Sequence, residues 1–181
     1  LPTWVTTPTP TTKPRVKTLA PSDLGGAKAL PSETDSGDEA AAKRRGTLIH
    51  LLLEHLPSRP SSQWDTLAQT VIQQYDRQAK PEETGDVLDV AKRVLSTKAL
   101  TPIFDPETLA EVAITASLPE LDGKRIYGTI DRLVITDTKI LAVDFKSNKT
   151  VPETPEDVPD GLLRQMGAYL SALRQIYPDF E

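Results

Sequence analysis

The chain contains no cysteine. That excludes disulfides, thiolate-bound zinc, cysteine nucleophiles and an iron–sulfur cluster held by this chain. Histidine occurs only at His50 and His55, so sites built from several imidazoles are excluded as well. Any metal site must rest mainly on oxygen ligands, which points to magnesium, manganese or calcium. No apolar run approaches the ~18 residues of a membrane-spanning helix, and no membrane partner is expected. Met166 is the only methionine, and the chain opens on Leu1 without a charged-then-apolar leader. It reads as a piece of a larger protein, with secretion and leader removal as the rival explanation.

Proline is abundant, with 16 in 181 residues. Pro2, Pro8, Pro10, Pro14, Pro21 and Pro31 fall within residues 1–37, among Thr and Ser. Such a stretch supports neither helix nor ladder, and residues 1–37 read as an extended linker before a folded unit over 38–181. Lys13, Arg15, Lys17 and Lys28 outweigh Asp23, giving residues 1–30 a net +3 within a chain of net −5. The remainder is therefore at −8, too acidic for strong autonomous DNA binding, because phosphate contacts supply most non-specific affinity.

Three helices are expected first, over about 38–56, 62–79 and 81–100. Ser36 or Asp38 can cap the first, and Ser62 and Asp65 have capping-box spacing for the second. Trp64, Leu67, Ala68, Val71, Ile72 and Tyr75 make an apolar stripe, as do Val87, Val90, Ala91, Val94 and Leu95 on the third. Strands follow over 110–118, 124–135 and 139–146, with Asp122-Gly123 as a hairpin turn signal. A last helix spans about 161–177. Helices, a three-strand meander and a helix predict an α/β or α+β fold.

The second hairpin carries the chemistry. If its turn centres on Asp137-Thr138, Thr136 opposes Lys139, and counting back places Asp131 opposite Asp144. Directly opposed side chains lie roughly 4.5–5.5 Å apart at Cβ. Two carboxylates there repel, and a divalent cation turns that conflict into a ligand pair. A shifted register or a wet sheet end is the plainer alternative. Lys146 shares a face with Asp144 by strand alternation, while Leu141, Val143 and Phe145 are expected on the opposite, core face. A lysine beside a metal can orient water or neutralise charge developing on phosphorus. Gly128 marks a close approach within the strand. Arg132 falls on the other face from Asp131 and is not expected in the site.

These residues resemble a known family. Gly46-Thr47-Leu48-Ile49-His50-Leu51-Leu52-Leu53-Glu54, Gly128-Thr129-Ile130-Asp131-Arg132, Val143-Asp144-Phe145-Lys146-Ser147 and Gln165-Met166-Gly167-Ala168-Tyr169 resemble, in order, the four motifs of RecB-type domains in the PD-(D/E)XK nuclease superfamily. The resemblance implies a restriction-endonuclease-like α/β fold: a central mixed sheet with an antiparallel meander, flanked by helices. Leu1-Pro2-Thr3-Trp4, Leu19-Ala20-Pro21-Ser22, Gly128 to Lys149 and Gln165 to Pro178 look like AddA-type helicase–nucleases. In that family the iron–sulfur cluster belongs to the partner subunit, which agrees with the absence of Cys. The family continues past the last helix, so the resemblance implies a C-terminally truncated domain.

The resemblance also implies roles. His50, Asp131, Asp144 and the Phe145 carbonyl would ligate Mg²⁺ or Mn²⁺. Lys146 would act with Asp131 and Asp144 in catalysis. Gln165 and Tyr169 would contact DNA or the attacking water, and Glu54 would support the site. Glu111 is a weaker candidate for a supporting acid. Arg44 and Arg45 read as a solvated face. The implied function is end processing in double-strand-break repair by recombination in the bacterial cytoplasm. The implied partners are DNA ends, single-stranded products, an ATP-driven helicase motor on the same chain and an AddB-type subunit. An inactive nuclease-fold scaffold and a cation-stabilised binding module are the rivals.

Overall fold

A computed structural model describes residue 2 and residues 17–29, 39–148 and 150–180. The expected caps Ser36 and Asp38, and most of the expected linker, lie outside the described residues. Helix α1 runs over Glu39–His55, α2 over Trp64–Tyr75 and α3 over Pro81–Ser96. Strands β1 (Leu109–Leu118), β2 (Lys124–Ile135) and β3 (Ile140–Val143) follow, then α4 over Asp160–Ile176. The sheet is antiparallel in the order β1-β2-β3. Among the described residues no helix is long and apolar enough to cross a membrane.

Two apolar clusters hold these elements. Leu48, Leu52 and Leu56 of α1 pack with Ile72 of α2, Val87 of α3 and Phe104. Ile126, Ile130 and Leu133 of β2 pack with Ala168, Tyr169, Ala172 and Leu173 of α4. The buried positions of α4 recur at three- and four-residue spacing, the mark of a helix with one face on a sheet. Arg44 pairs with Asp76 and Glu83, tying α1 to the end of α2 and the start of α3. It is a tether between helices, where a solvated face was expected.

Several expectations shift. Helix α2 stops at Tyr75, which is exposed rather than core. No side chain caps α2, and Asp65, expected in a capping box, pairs with Lys92 of α3. The register of the second hairpin is as counted, with Ile135↔Ile140 through Arg132↔Val143, but the ladder ends there. Asp131 and Asp144 stand just beyond its last pair. On β3, Ile140 and Ala142 face the sheet–α4 cluster, and Leu141, expected in the core, is 45% exposed. The cause is that β3 is an edge strand covered only on the α4 side. Phe145 does reach an apolar cluster, that of the first three helices.

Residues 17–29 do not behave as an extended linker. Leu19 pairs with β2 in parallel: its N–H donates to the Arg125 carbonyl at 2.9 Å, and its carbonyl accepts from Tyr127 N–H at 3.0 Å. This is the sheet's parallel element, on the stretch of β2 that short β3 leaves open. Pro21 is buried against Gly128, where a Cβ would fall 2.8 Å from the proline ring. The Gly161 N–H, in the first turn of α4, donates to the Ala27 carbonyl at 2.8 Å. The segment is a strap across β2 and α4.

Candidate active site

Three elements meet at one open cleft of about 630 Å³. Helix α1 supplies His50 and Glu54, one turn apart on one face. The strand β2 supplies Asp131, and the chain leaving β3 supplies Lys146 and Ser147. Gly46 lets α1 approach that chain: a Cβ there would fall 2.5 Å from Ser147 Oγ.

The carboxylates are held differently. Asp131 Oδ1 lies 3.5 Å from His50 Nδ1, and Asp131 Oδ2 accepts the Phe145 N–H at 2.5 Å. That bond replaces the ladder bond missing beyond Val143 and pins the turn into Asp144. Asp144 has a side chain only 8% exposed. It is ion-paired with Lys146 Nζ and accepts a bond from Gln165 Nε2 at 2.7 Å. Lys146 Nζ also donates to Gln165 Oε1 at 3.2 Å, so one amide orients both partners. Gln165 Nε2 lies 3.3 Å from Tyr169 Oη, which donates to the Thr129 carbonyl at 2.7 Å.

The electrostatics follow from this packing. Burial pushes the Asp144 carboxyl above its ordinary range, and Lys146 opposes that only in part. Hydrogen bonding to Asp131 raises the His50 imidazole against the effect of burial, with the charges of Asp131 and Asp144 adding to it. Burial raises the Tyr169 phenol. Glu111 also lines the cleft, its carboxyl raised by burial and by the charges of Asp131 and Glu54. It interrupts β1 at φ +50°, a left-handed conformation rare for glutamate, between the pairs Ala110↔Arg132 and Val112↔Ile130.

The structure thus brings His50, Asp131, Asp144 and Lys146 together, with Glu54 at the cleft wall. Gln165 and Tyr169 sit behind the site. Both are buried, and their polar atoms are turned to Asp144, Lys146 and the Thr129 carbonyl rather than to the cleft where the resemblance implied they would meet DNA. Phe145 stacks on Phe104 at 5.7 Å and meets His50 edge-on at 6.0 Å. Arg132 lies over Phe104 at 5.4 Å from the ring centre. Sequence reasoning did not place Lys28 and Lys43 at the cleft, yet both line it. For Lys28 the signal available was the net positive charge of residues 1–30, and for Lys43 its place seven residues before His50 on one helix face.

An α/β fold that gathers carboxylates, an imidazole and a lysine on one cleft is the arrangement of a metal-dependent nuclease. The family model of the PD-(D/E)XK nuclease superfamily matches residues 24–180, and the chain belongs to that superfamily. No curated protein matches the chain.

The superfamily implies a divalent metal. Among the described residues no three His, Asp or Glu side chains form a ready cation cage. The donor chemistry nonetheless suits a hard cation: two carboxylates and one imidazole nitrogen, with one carboxylate buried and raised. His50 and Asp131 already stand together, and Asp144 is covered by Lys146.

Proposed function

We propose that this chain is the metal-dependent DNA exonuclease domain of an AddAB/RecBCD-like helicase–nuclease that processes DNA ends in double-strand-break repair. The observation that carries the reading is the convergence of His50, Asp131 and Lys146 on one open cleft, with Asp144 buried beneath Lys146 and ion-paired to it. The stretches Leu1 to Trp4, Leu19 to Ser22, Gly128 to Lys149 and Gln165 to Pro178, which look like AddA-type proteins, support the finer assignment, as does the proline-rich, basic N-terminal segment. An AddB-type subunit and a helicase motor are the partners this reading requires, and the bacterial cytoplasm is its location. The nuclease domain then takes in the strap together with the helices and the sheet.

The reaction is hydrolysis of a phosphodiester, in which water attacks phosphorus, the bond to the 3′ oxygen breaks and a 5′ phosphate remains. His50, Asp131, Asp144 and the Phe145 carbonyl would hold Mg²⁺ or Mn²⁺, which supplies Lewis acidity against the phosphate and makes water more acidic. The protein's own part is positional and electrostatic. Gln165 fixes the direction of the Lys146 ammonium through its Oε1 and of Asp144 through its Nε2. Tyr169 fixes Gln165 by anchoring it to β2. Lys146 brings positive charge to the cleft, where it can stabilise charge that grows on the phosphoryl oxygens.

A scaffold without activity is the second reading. One observation favours it: Lys146 occupies the carboxylate that a metal would need. Cleavage of end-labelled linear single-stranded DNA at low salt with Mn²⁺ separates the two. The expected result is cleavage that disappears in Asp144→Ala and in Lys146→Ala, with metal binding kept in Lys146→Ala. Equal cleavage by wild type and Asp144→Ala overturns the assignment of the site. No cleavage by wild type, with the strand bound, favours the scaffold.

A further inference from the structure

The strap that precedes α1 ends in the cleft. Its fixing points are specific. Leu19 is paired to β2, and Pro21 is buried against Gly128. Gly26, at φ +88°, lies so close to α4 that a Cβ would fall 2.7 Å from the Gly161 nitrogen. A Cβ on Gly161 would in turn fall 2.5 Å from the Ala27 carbonyl oxygen. No side chain fits on either partner of that contact. The next residue is Lys28, whose carbonyl lies 3.4 Å from Asn148 Nδ2 and whose side chain lines the cleft. The backbone just before the lysine is held against α4, and the Asn148 side chain meets the lysine's own carbonyl.

The cleft carries both signs of charge. His50, Asp131, Glu54 and Glu111 line it and suit a cation. Lys28, Lys43, Lys146 and Ser147 line it too and present donors. Lys43 and His50 share a face of α1, two turns apart. Lys28 pairs with Asp23 at 3.7 Å, but the side chains are 51% and 72% exposed, so that pair is weak and yields readily to a stronger anion. The body of the chain is acidic, and the cation arrives on the segment whose net charge is positive.

We infer that Lys28 is a phosphate contact for the nucleic-acid strand. It takes a backbone phosphate neighbouring the one that reacts, and Lys43 assists. This rests on the nuclease reading and deepens it. The strap is then part of substrate binding, and an acidic domain meets a polyanion through a cation delivered from outside its helices and sheet. The contact is to a backbone charge and carries no base preference.

The test uses the full 181-residue chain. Binding of a labelled single-stranded oligonucleotide is measured by fluorescence anisotropy without metal at several salt concentrations. Cleavage is measured with Mn²⁺. Lys28→Ala is compared with Lys28→Arg and with Lys124→Ala, a control on an exposed hairpin. Lys28→Ala is expected to weaken binding about fivefold at low salt, with the salt slope reduced by roughly 0.7. It should raise KM and leave kcat and the thermal midpoint in place, the pattern of lost uniform binding. Lys28→Arg should restore affinity, and Lys124→Ala should match wild type.

If wild type binds and cleaves while Lys28→Ala keeps its affinity, salt slope and KM, the inference fails and the nuclease reading stands. A fall in thermal midpoint together with kcat, unrescued by Lys28→Arg, makes Lys28 a packing residue and also overturns it. Millimolar inorganic phosphate that displaces the strand from wild type, with no such effect on Lys28→Ala, assigns the lysine to a free or terminal phosphate instead. A wild type that neither binds nor cleaves overturns the nuclease reading, and this inference with it.

Discussion

Arg132 is the side chain whose removal the structure makes most costly. Helix α1 ends above it. The Leu53 carbonyl would normally accept from the N–H four residues on, but that residue is Pro57, which has none. Arg132 Nη2 fills the gap, donating to the Leu53 carbonyl at 2.6 Å and to the Glu54 carbonyl at 3.3 Å. Arg132 is 4% exposed, and its guanidinium rests on Phe104 with no carboxylate within ion-pair distance among the described residues. Burial accordingly lowers its pKa, and its Nε has no partner. Two opposing terms decide the outcome. Bonds from a charged donor to buried carbonyls contribute about 1.5–3 kcal/mol each. Keeping an unpaired guanidinium in the interior offsets part of that.

Arg132→Ala loses the bonds and the packing of the stem on Phe104, so the expected cost is about 3–4 kcal/mol. Arg132→Met keeps the stem and sheds the buried charge, so the expected cost is about 1–2 kcal/mol. Urea unfolding followed by circular dichroism measures both. With m near 2 kcal/mol per molar, Arg132→Ala should move the midpoint by about 1.5–2 M at unchanged m. An Ala cost below about 1 kcal/mol would refute the role of the α1 carbonyls. A Met variant as unstable as Ala would show that the charge, not the stem, dominates.

Two further outcomes follow from the site. The Asp144 carboxyl is raised by burial, so it favours the fold while protonated, below its unfolded pKa, and that contribution is lost as pH rises through the folded value. Asp144→Asn should therefore raise the melting temperature of the metal-free protein at neutral pH, a gain that shrinks through the acidic carboxylate range. A variant less stable than wild type at neutral pH would mean that the Lys146 pair outweighs burial. At Gly128, a Cβ would fall 2.8 Å from the Pro21 ring and 3.3 Å from Tyr169, so Gly128→Ala must lift the strap or shift the ring. The expected cost is about 1–3 kcal/mol with faster amide exchange at Leu19, and a neutral substitution would mean that the strap is held elsewhere.

Local rules made much of the fold legible. The order of elements could be read because each carries a periodicity or a turn signal, such as Asp122-Gly123 before β2. The register of the second hairpin could be counted once its turn was centred on Asp137-Thr138, and the ladder follows that count as far as Arg132↔Val143. What escaped depended on which surfaces happen to be covered. Leu141 alternates correctly yet faces solvent, because nothing packs on that side of an edge strand. Gln165 and Tyr169 could be placed near the site by spacing, but not assigned to its back wall. The strap was hidden because proline and threonine content describes what a segment cannot form alone. It says nothing of Leu19 finding an open stretch of β2, or of two glycines letting backbone touch backbone.

The pairing of Lys146 with Asp144 connects the stability of the site to its chemistry. A carboxylate this deeply buried, without a counter-charge, would carry a large desolvation cost. Lys146 and Gln165 supply a positive charge and a donor from the protein itself, so the chain can bury Asp144 while it folds. The pair still leaves the carboxyl raised, so its demand for positive charge is met only in part. A divalent cation is a stronger answer to that demand than one ammonium. Under the proposed function Asp144 would help hold such an ion, and the Lys146 ammonium, bonded to Gln165 and already lining the cleft, would be available to the phosphate. One contact would then serve both the folding of the metal-free chain and the placing of the lysine. The gain in stability expected for Asp144→Asn and the loss of cleavage expected for Asp144→Ala are consequences of the same burial.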